Sequence, residues 1–235
     1  MSRNSIKIHT PAGKRWLEKA TAEAAAPKAA AAAPAAAKAK AGRPAPVGAG
    51  EVRIIGGQWR RTRLPVAQHP GLRPTPDRVR ETLFNWLGQD LAGWRCLDAF
   101  AGTGALGLEA ASRGAASVLL VENDAALVAQ LQVLQAKLQA SAVRVQRGDG
   151  VAALKQAAPA SVDLVLLDPP FDGDLFAPAL QAAAKAVAAQ GFIYLEAPRA
   201  WTDEELAGSG LAVYRHLKAG AVHAHLLRPV AATTE

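Results

Sequence analysis

Leu97-Asp98-Ala99-Phe100-Ala101-Gly102-Thr103-Gly104-Ala105-Leu106-Gly107 leaves a short apolar run and opens a helical pattern through a glycine-rich turn. Gly102, Gly104 and Gly107 match the G-x-G-x-x-G fingerprint, which alone is weak because several cofactors use it. Asp98 separates them. A carboxylate just ahead of the glycines repels the pyrophosphate of a dinucleotide, whereas it attracts the ammonium of the methionine moiety of S-adenosylmethionine. The glycines let backbone approach a ligand with no Cβ in the way.

Outward from this turn, short apolar runs alternate with helical segments. Strands are expected over Arg95–Phe100, Ser117–Glu122, Val143–Asp149, Val162–Asp168, Phe192–Glu196, Leu211–Leu217 and Val222–Arg228. Leu127, Leu131, Leu134 and Leu138 repeat at helical spacing behind Asn123 or Asp124 as a cap. Such alternation implies a parallel sheet with helices on both faces. The last two strands meet at Ala219-Gly220 and must be antiparallel, since a parallel return needs a long crossover. The expected fold class is therefore α/β, a Rossmann-like class I methyltransferase domain with a seven-stranded sheet ending in an antiparallel hairpin.

Two further carboxylates fall at strand ends. Glu122 stands 24 residues after Asp98, where it can accept both ribose hydroxyls, and Asp149 in Gly148-Asp149-Gly150 can accept from the adenine amino group. Each alone could equally be a helix N-cap, but together they converge on one cleft at the carboxyl edge of the sheet. The expected cofactor set is Asp98, Phe100, Gly102, Thr103, Gly104, Glu122, Asn123 and Asp149.

Asp168-Pro169-Pro170-Phe171 follows the buried run Val162–Leu167. Two prolines after a strand could simply stiffen a turn. A chemical reading explains all four residues. The exocyclic amine of a base is a poor nucleophile because its lone pair is delocalised into the ring. Asp168 and the Pro169 carbonyl can accept its two hydrogens and aim the lone pair at a sulfonium methyl. Pro170 helps to fix that carbonyl, and Phe171 offers a face for an unstacked base.

Charge points to the partner. Residues 1–50 hold nine of the 27 Lys and Arg but only two of the 20 Asp and Glu, so they carry the whole net charge of +7. In the neutral remainder Arg53, Arg60, Arg61, Arg63, Arg73, Arg78 and Arg80 crowd one stretch opposed only by Asp77. Two basic segments preceding a neutral domain suggest a polyanion, and these seven arginines are the expected nucleic-acid contacts. Solvated surface charge is the plainer alternative.

Residues 1–50, rich in Ala, Pro and Lys, read as a disordered tail, and a transit peptide fits poorly with so little Arg and Ser. Residues 51–90 read as a β-hairpin and helix forming an RNA-binding extension, and 91–235 as the catalytic domain. In the extension a first strand opens at Val52, Gly56-Gly57 turns the chain, and Trp59–Val66 returns. Thr75 caps a helix beginning at Pro76 and closing at Gly88, with Val79, Leu83, Trp86 and Leu87 on its buried face and Arg78 outside. Cys96, the single cysteine, excludes an internal disulfide and fits a cytoplasmic setting. No apolar run approaches the roughly 18 residues of a membrane span. His223 and His225 share a strand face without a further nearby ligand, so no metal is expected. A monomer is expected.

Arg53-Ile54-Ile55-Gly56-Gly57-Gln58-Trp59, Leu72-Arg73-Pro74-Thr75 and Asp77–Leu87, together with Asp98–Ala110 and Asp168–Phe171, closely resemble the bacterial 16S rRNA guanine-N2 methyltransferases that modify guanine 966. The likeness spans about residues 52 to 230 and leaves out the first 50. It implies S-adenosylmethionine as methyl donor, guanine N2 as acceptor, and 16S rRNA in the small ribosomal subunit or an assembly intermediate as partner. Two alternatives stand beside it. A DNA adenine-N6 methyltransferase shares the D-P-P motif but normally carries a target-recognition domain, for which there is no room. An rRNA-binding assembly factor without turnover would not need Asp168–Phe171 intact.

Overall fold

In a computed structural model of the chain the described residues are 51–65, 75–171 and 174–230; the expected tail and Arg73 lie outside them. Two short strands, β1 (Glu51–Arg53) and β2 (Arg63–Pro65), pair antiparallel with Arg53 opposite Arg63. The hairpin is real but its strands are shorter than expected, because the backbone of Ile55, Gly56, Gln58 and Trp59 bonds to the helix that follows the glycine turn. The N–H groups of Ile55 and Gly56 donate to Glu109 at 2.8 and 2.7 Å, and that of Gln58 to the Ser112 carbonyl at 2.7 Å. Gly57 permits this close approach: its φ is +73°, and a Cβ there would sit 1.8 Å from the Ser112 carbonyl oxygen.

The first helix, α1 (Asp77–Leu87), buries Val79, Leu83 and Leu87 as expected of an apolar face, but Phe84 is the buried aromatic and the expected Trp86 is only partly buried. Gly88 ends it in the left-handed conformation, its N–H returning to the Phe84 carbonyl. The N-terminus differs from expectation. Pro76 occupies the cap position, and the buried Thr75 spends its hydroxyl on Glu196, 121 residues away.

Seven strands form the main sheet: β3 (Arg95–Asp98), β4 (Ser117–Glu122), β5 (Val143–Arg147), β6 (Val162–Leu167), β7 (Val187–Ala197), β8 (Leu211–Ala219) and β9 (Val222–Pro229). Their order is β5-β4-β3-β6-β7-β9-β8. The pairs among β3 to β7 are parallel, and β9 runs antiparallel to both neighbours. β7 starts five residues before the expected Phe192, through an irregular step in its pairing with β6. The helices between are α2 (Ala105–Ser112), α3 (Ala125–Lys137), α4 (Gly150–Gln156), α5 (Phe176–Ala186) and α6 (Asp203–Ala207).

Apolar residues divide into two layers. α1, α2 and α3 share one core with Cys96, Leu120, Leu164, Leu166 and Tyr194, while α4, α5 and α6 share the other with Leu97, Val165, Leu167 and Leu195. Alternate residues of the same strands thus supply opposite cores, as a doubly covered sheet requires. The chain moves one way from β3 through β4 and β5, then the other way through β6 and β7. Ligand crevices open at the carboxyl edge where such a sheet reverses direction, here between β3 and β6. Among the described residues no helix is long and apolar enough to cross a membrane.

Candidate active site

Register brings three carboxyl groups together at that reversal. Asp98 ends β3 opposite Leu166 of β6, which lies opposite Tyr194 of β7. Glu196 projects to the same face of β7 as Tyr194, because strand side chains repeat every second residue, and Asp168 directly follows the end of β6, where the charges of Glu196 and Asp98 act on it.

Asp98 is buried, and its Oδ2 accepts the Gly107 N–H at 3.0 Å while Oδ1 has no partner among the described residues. Burial pushes this carboxyl up to about 7; the hydrogen bond from Gly107 and the nearby Phe100 backbone act against the shift, and the charges of Glu122 and Glu196 add to it. A buried oxygen without a donor is rare and calls for a ligand group. A substrate ammonium supplies one, so the residue fits S-adenosylmethionine. Gly102 and Gly104 turn the chain with φ of 52° and 78° between Asp98 and α2, and Phe100 and Thr103 lie in this turn. Gly107 serves packing, since a Cβ there would lie 2.2 Å from Leu120 Cδ2.

Glu122 Oε2 accepts the Gly102 N–H at 2.8 Å and Oε1 the Asp124 N–H at 2.9 Å. It ties the glycine turn to the end of β4, and each oxygen keeps a second lone pair for a ligand hydroxyl. The cap of α3 is Asp124; Asn123 is exposed beside it. Asp149 caps α4 through the Ala152 N–H at 2.6 Å, so the capping alternative does hold for one of its oxygens.

Asp168 is half-buried, and no hydrogen bond from a described residue reaches its carboxylate. Burial first, then the charges of Glu196 and Asp98, holds it well above the usual carboxylate range. Pro169 is buried and Pro170 exposed. Phe171 is 41% exposed and begins an aromatic row, with Phe176 at 6.3 Å and Trp201 a further 6.1 Å on.

Sequence reasoning missed Glu196, the last residue of the run Phe192-Ile193-Tyr194-Leu195-Glu196. The signal was the same acid at a strand end that singled out Asp98 and Asp168. Glu196 is buried, and its Oε1 accepts from Thr75 Oγ1 at 2.6 Å and Tyr194 OH at 2.9 Å. Burial raises its pKa, while these hydroxyls and the charge of Arg80 pull it back.

Among the arginines, Arg53, Arg60, Arg61, Arg63 and Arg78 are exposed. Arg53 pairs with Asp77 at 3.2 Å and Arg63 with Glu51 at 2.9 Å. Arg60 borders a cavity of about 500 Å³ between the 54–62 loop and α1, beside Asn85 and Gln89. Arg80 corrects the expectation of a nucleic-acid contact. Its side chain is fully buried, bonding the Thr75 and Arg53 carbonyls, Asp77 at 2.5 Å and Glu109 at 3.3 Å. No phosphate can reach it there. Cys96 is buried and its thiol is pushed up to about 12, which leaves no thiolate for catalysis. Among the described residues no cluster could hold a metal ion.

A family model described as Conserved hypothetical protein 95 matches residues 52–228. The chain is 51% identical over 129 residues to ribosomal RNA small subunit methyltransferase D of Escherichia coli K12, covering 55% of this chain and 65% of that protein. To the protein of that name in Haemophilus influenzae it is 46% identical over 134 residues, 55% of this chain and 69% of the relative. The chain thus spans just under two thirds of the E. coli relative's length. A solved putative methyltransferase from Escherichia coli superposes with a TM-score of 0.67 at 41% identity, over 77% of this chain and 99% of that one. A putative RNA methyltransferase from Pyrococcus horikoshii, 22% identical over 70% of this chain and 93% of its own, shares the fold at a TM-score of 0.59. The sheet order and these likenesses make the fold that of a class I S-adenosylmethionine-dependent methyltransferase.

Proposed function

The chain belongs to the Conserved hypothetical protein 95 family, and from that premise we propose that it methylates N2 of a guanine in the ribosomal RNA of the small subunit, using S-adenosylmethionine. The observation that carries this reading is the buried Oδ1 of Asp98, unpartnered among the described residues, beside the carboxylate of Asp168 at the end of the neighbouring strand. One acid awaits a cation and the other awaits N–H donors.

When bound, S-adenosylmethionine supplies an electrophilic methyl group on a sulfonium. Asp98 would hold its ammonium, Glu122 its ribose hydroxyls, and Asp149 its adenine amine. Phe171 would take the face of the flipped guanine. Asp168 and the Pro169 carbonyl would accept the two amine hydrogens, turning the nitrogen lone pair toward the methyl carbon. The rate gain comes from positioning and from charge already in place, with no covalent enzyme intermediate. Arg53, Arg60, Arg61, Arg63 and Arg78 would grip phosphates around the target and set which base enters.

The test is to offer small subunits, free 16S rRNA and duplex DNA to the protein with methyl-labelled cofactor and to identify the labelled nucleoside. N2-methylguanosine from RNA, absent with Asp168→Ala, is expected. Label on adenine N6 of DNA would select the DNA enzyme, and no label on any acceptor would select the assembly factor.

A further inference from the structure

We infer that Glu196 is a positioning residue for methyl transfer: anchored by Thr75 and Tyr194 at the end of β7, it sets a fixed negative charge beside Asp168 at the end of β6, so that Asp168 takes the proton the base amine must lose. This rests on the reading of Asp168 as the amine's acceptor. In the step, the amine nitrogen bonds to the methyl carbon as the carbon–sulfur bond breaks and its electron pair stays on sulfur. The nitrogen then carries one proton too many, which passes to the Asp168 carboxylate.

The anchoring is one-sided. Both hydroxyls donate to the same oxygen, Oε1, and the guanidinium of Arg80 adds positive charge from α1, which favours the ionised form of Glu196. Asp168 has no such donors among the described residues. When two adjacent carboxylates receive one proton and only one of them is stabilised as an anion, the proton settles on the other. Among the described residues the other groups facing Asp168 are Asp98 on β3, another acid, and the Tyr194 hydroxyl, which burial first and then Glu196 and Asp168 hold well above its usual range. Every acid beside Asp168 thus strengthens its grip on a proton. Thr75 adjoins Pro76, the cap residue of α1, so the anchor comes from the same segment that carries Arg78.

The experiment is the pH profile of single-turnover methylation with saturating cofactor and rRNA, for the wild type, Glu196→Gln, Tyr194→Phe and Asp168→Asn, with cofactor affinity measured separately. Glu196→Gln is expected to keep cofactor affinity within about twofold and to move the acid limb down by one pH unit or more, as a like charge is removed. Tyr194→Phe, which keeps Glu196 but frees it to hold the shared proton, is expected to move the limb the same way by less, and it decides the matter if the first variant does not fold. Acid limbs at the wild-type position in the folded variants, with Asp168→Asn inactive, would overturn the role of Glu196 and leave that of Asp168 standing. Near-normal turnover in Asp168→Asn would remove the underlying reading and this inference with it.

Discussion

Arg80 meets Glu109 at 3.3 Å with both side chains fully enclosed, and this pair joins the first helix to the helix that follows the glycine turn. Glu109 also receives the N–H groups of Ile55 and Gly56 and the guanidinium of Arg113 at 2.8 Å. The extension therefore docks through charge and hydrogen bonds as well as through its apolar stripe. Removing one partner of a buried pair strands the other. Arg80→Met should cost about 3 to 5 kcal/mol, while replacing an exposed arginine such as Arg60 should change stability by less than about 0.5 kcal/mol. Thermal unfolding of the two variants checks this, and equal midpoints would contradict it.

If Asp98 holds the cofactor's ammonium as proposed, it should couple binding to pH. Its folded pKa of about 7 is above the ordinary value, so the native state holds a proton that the unfolded chain releases. Its contribution to stability is therefore full below the ordinary carboxylate range and is lost as pH rises toward 7. Asp98→Asn should make the ligand-free protein more stable at pH 8 and abolish tight cofactor binding. In the wild type, affinity should rise up to about tenfold per pH unit below 7 and level off above it, with proton release on binding near pH 7. Calorimetry in buffers of different ionisation enthalpy reads that proton; pH-independent affinity without release would refute the role.

His225 titrates in the opposite sense. Its Nε2 accepts the Trp201 N–H at 3.1 Å, and burial, with His216 and His223 adding their charges, lowers its pKa to about 4. The unfolded chain then binds a proton the native state refuses, so the contribution is full above pH 6.5 and falls as pH drops toward 4, by up to about 3 kcal/mol. Asp98 and His225 tilt the stability curve oppositely over this range, so the diagnostic quantity is the difference between wild type and His225→Gln in urea unfolding at pH 7.5 and 5. A difference that does not change with pH would show that His225 does not titrate there.

The centre of the sheet was legible because β3, β4, β6 and β7 are apolar runs with single acids at or just past their ends, and apolar runs separate cleanly from the helical leucines of α3. Asp98 and Asp168 were visible for the same reason. What escaped needed distant partners. Thr75 looks like a cap in sequence but finds Glu196 across 121 residues, and Arg80 looks like its exposed neighbours until Glu109 is folded against it. The hairpin ends early because Ile55 and Gly56 face Glu109 on α2, which no local pattern discloses.

The last prediction ranks the two basic segments. Arg60, Arg61 and Arg63 sit on a loop and strand fixed to α2 by Glu109 and Ser112, so their charges keep defined positions and can meet particular phosphates. Residues 1–50 carry the net charge of +7, and their alanine-rich stretch offers no large apolar face for packing. Their attraction to RNA should be diffuse and salt-screened. Deleting residues 1–48 should leave turnover at saturating substrate and the choice of base unchanged, with loss of affinity confined to low salt. Replacing Arg60, Arg61 and Arg63 together by Gln should depress methylation at every salt concentration and make the salt dependence of binding shallower by up to about three units, one per phosphate contact. Binding and methylation of small subunits across a salt series decide between these patterns. Loss of activity at saturation on deleting the tail, with wild-type behaviour in the triple variant, would move the RNA-docking surface from the hairpin to the tail.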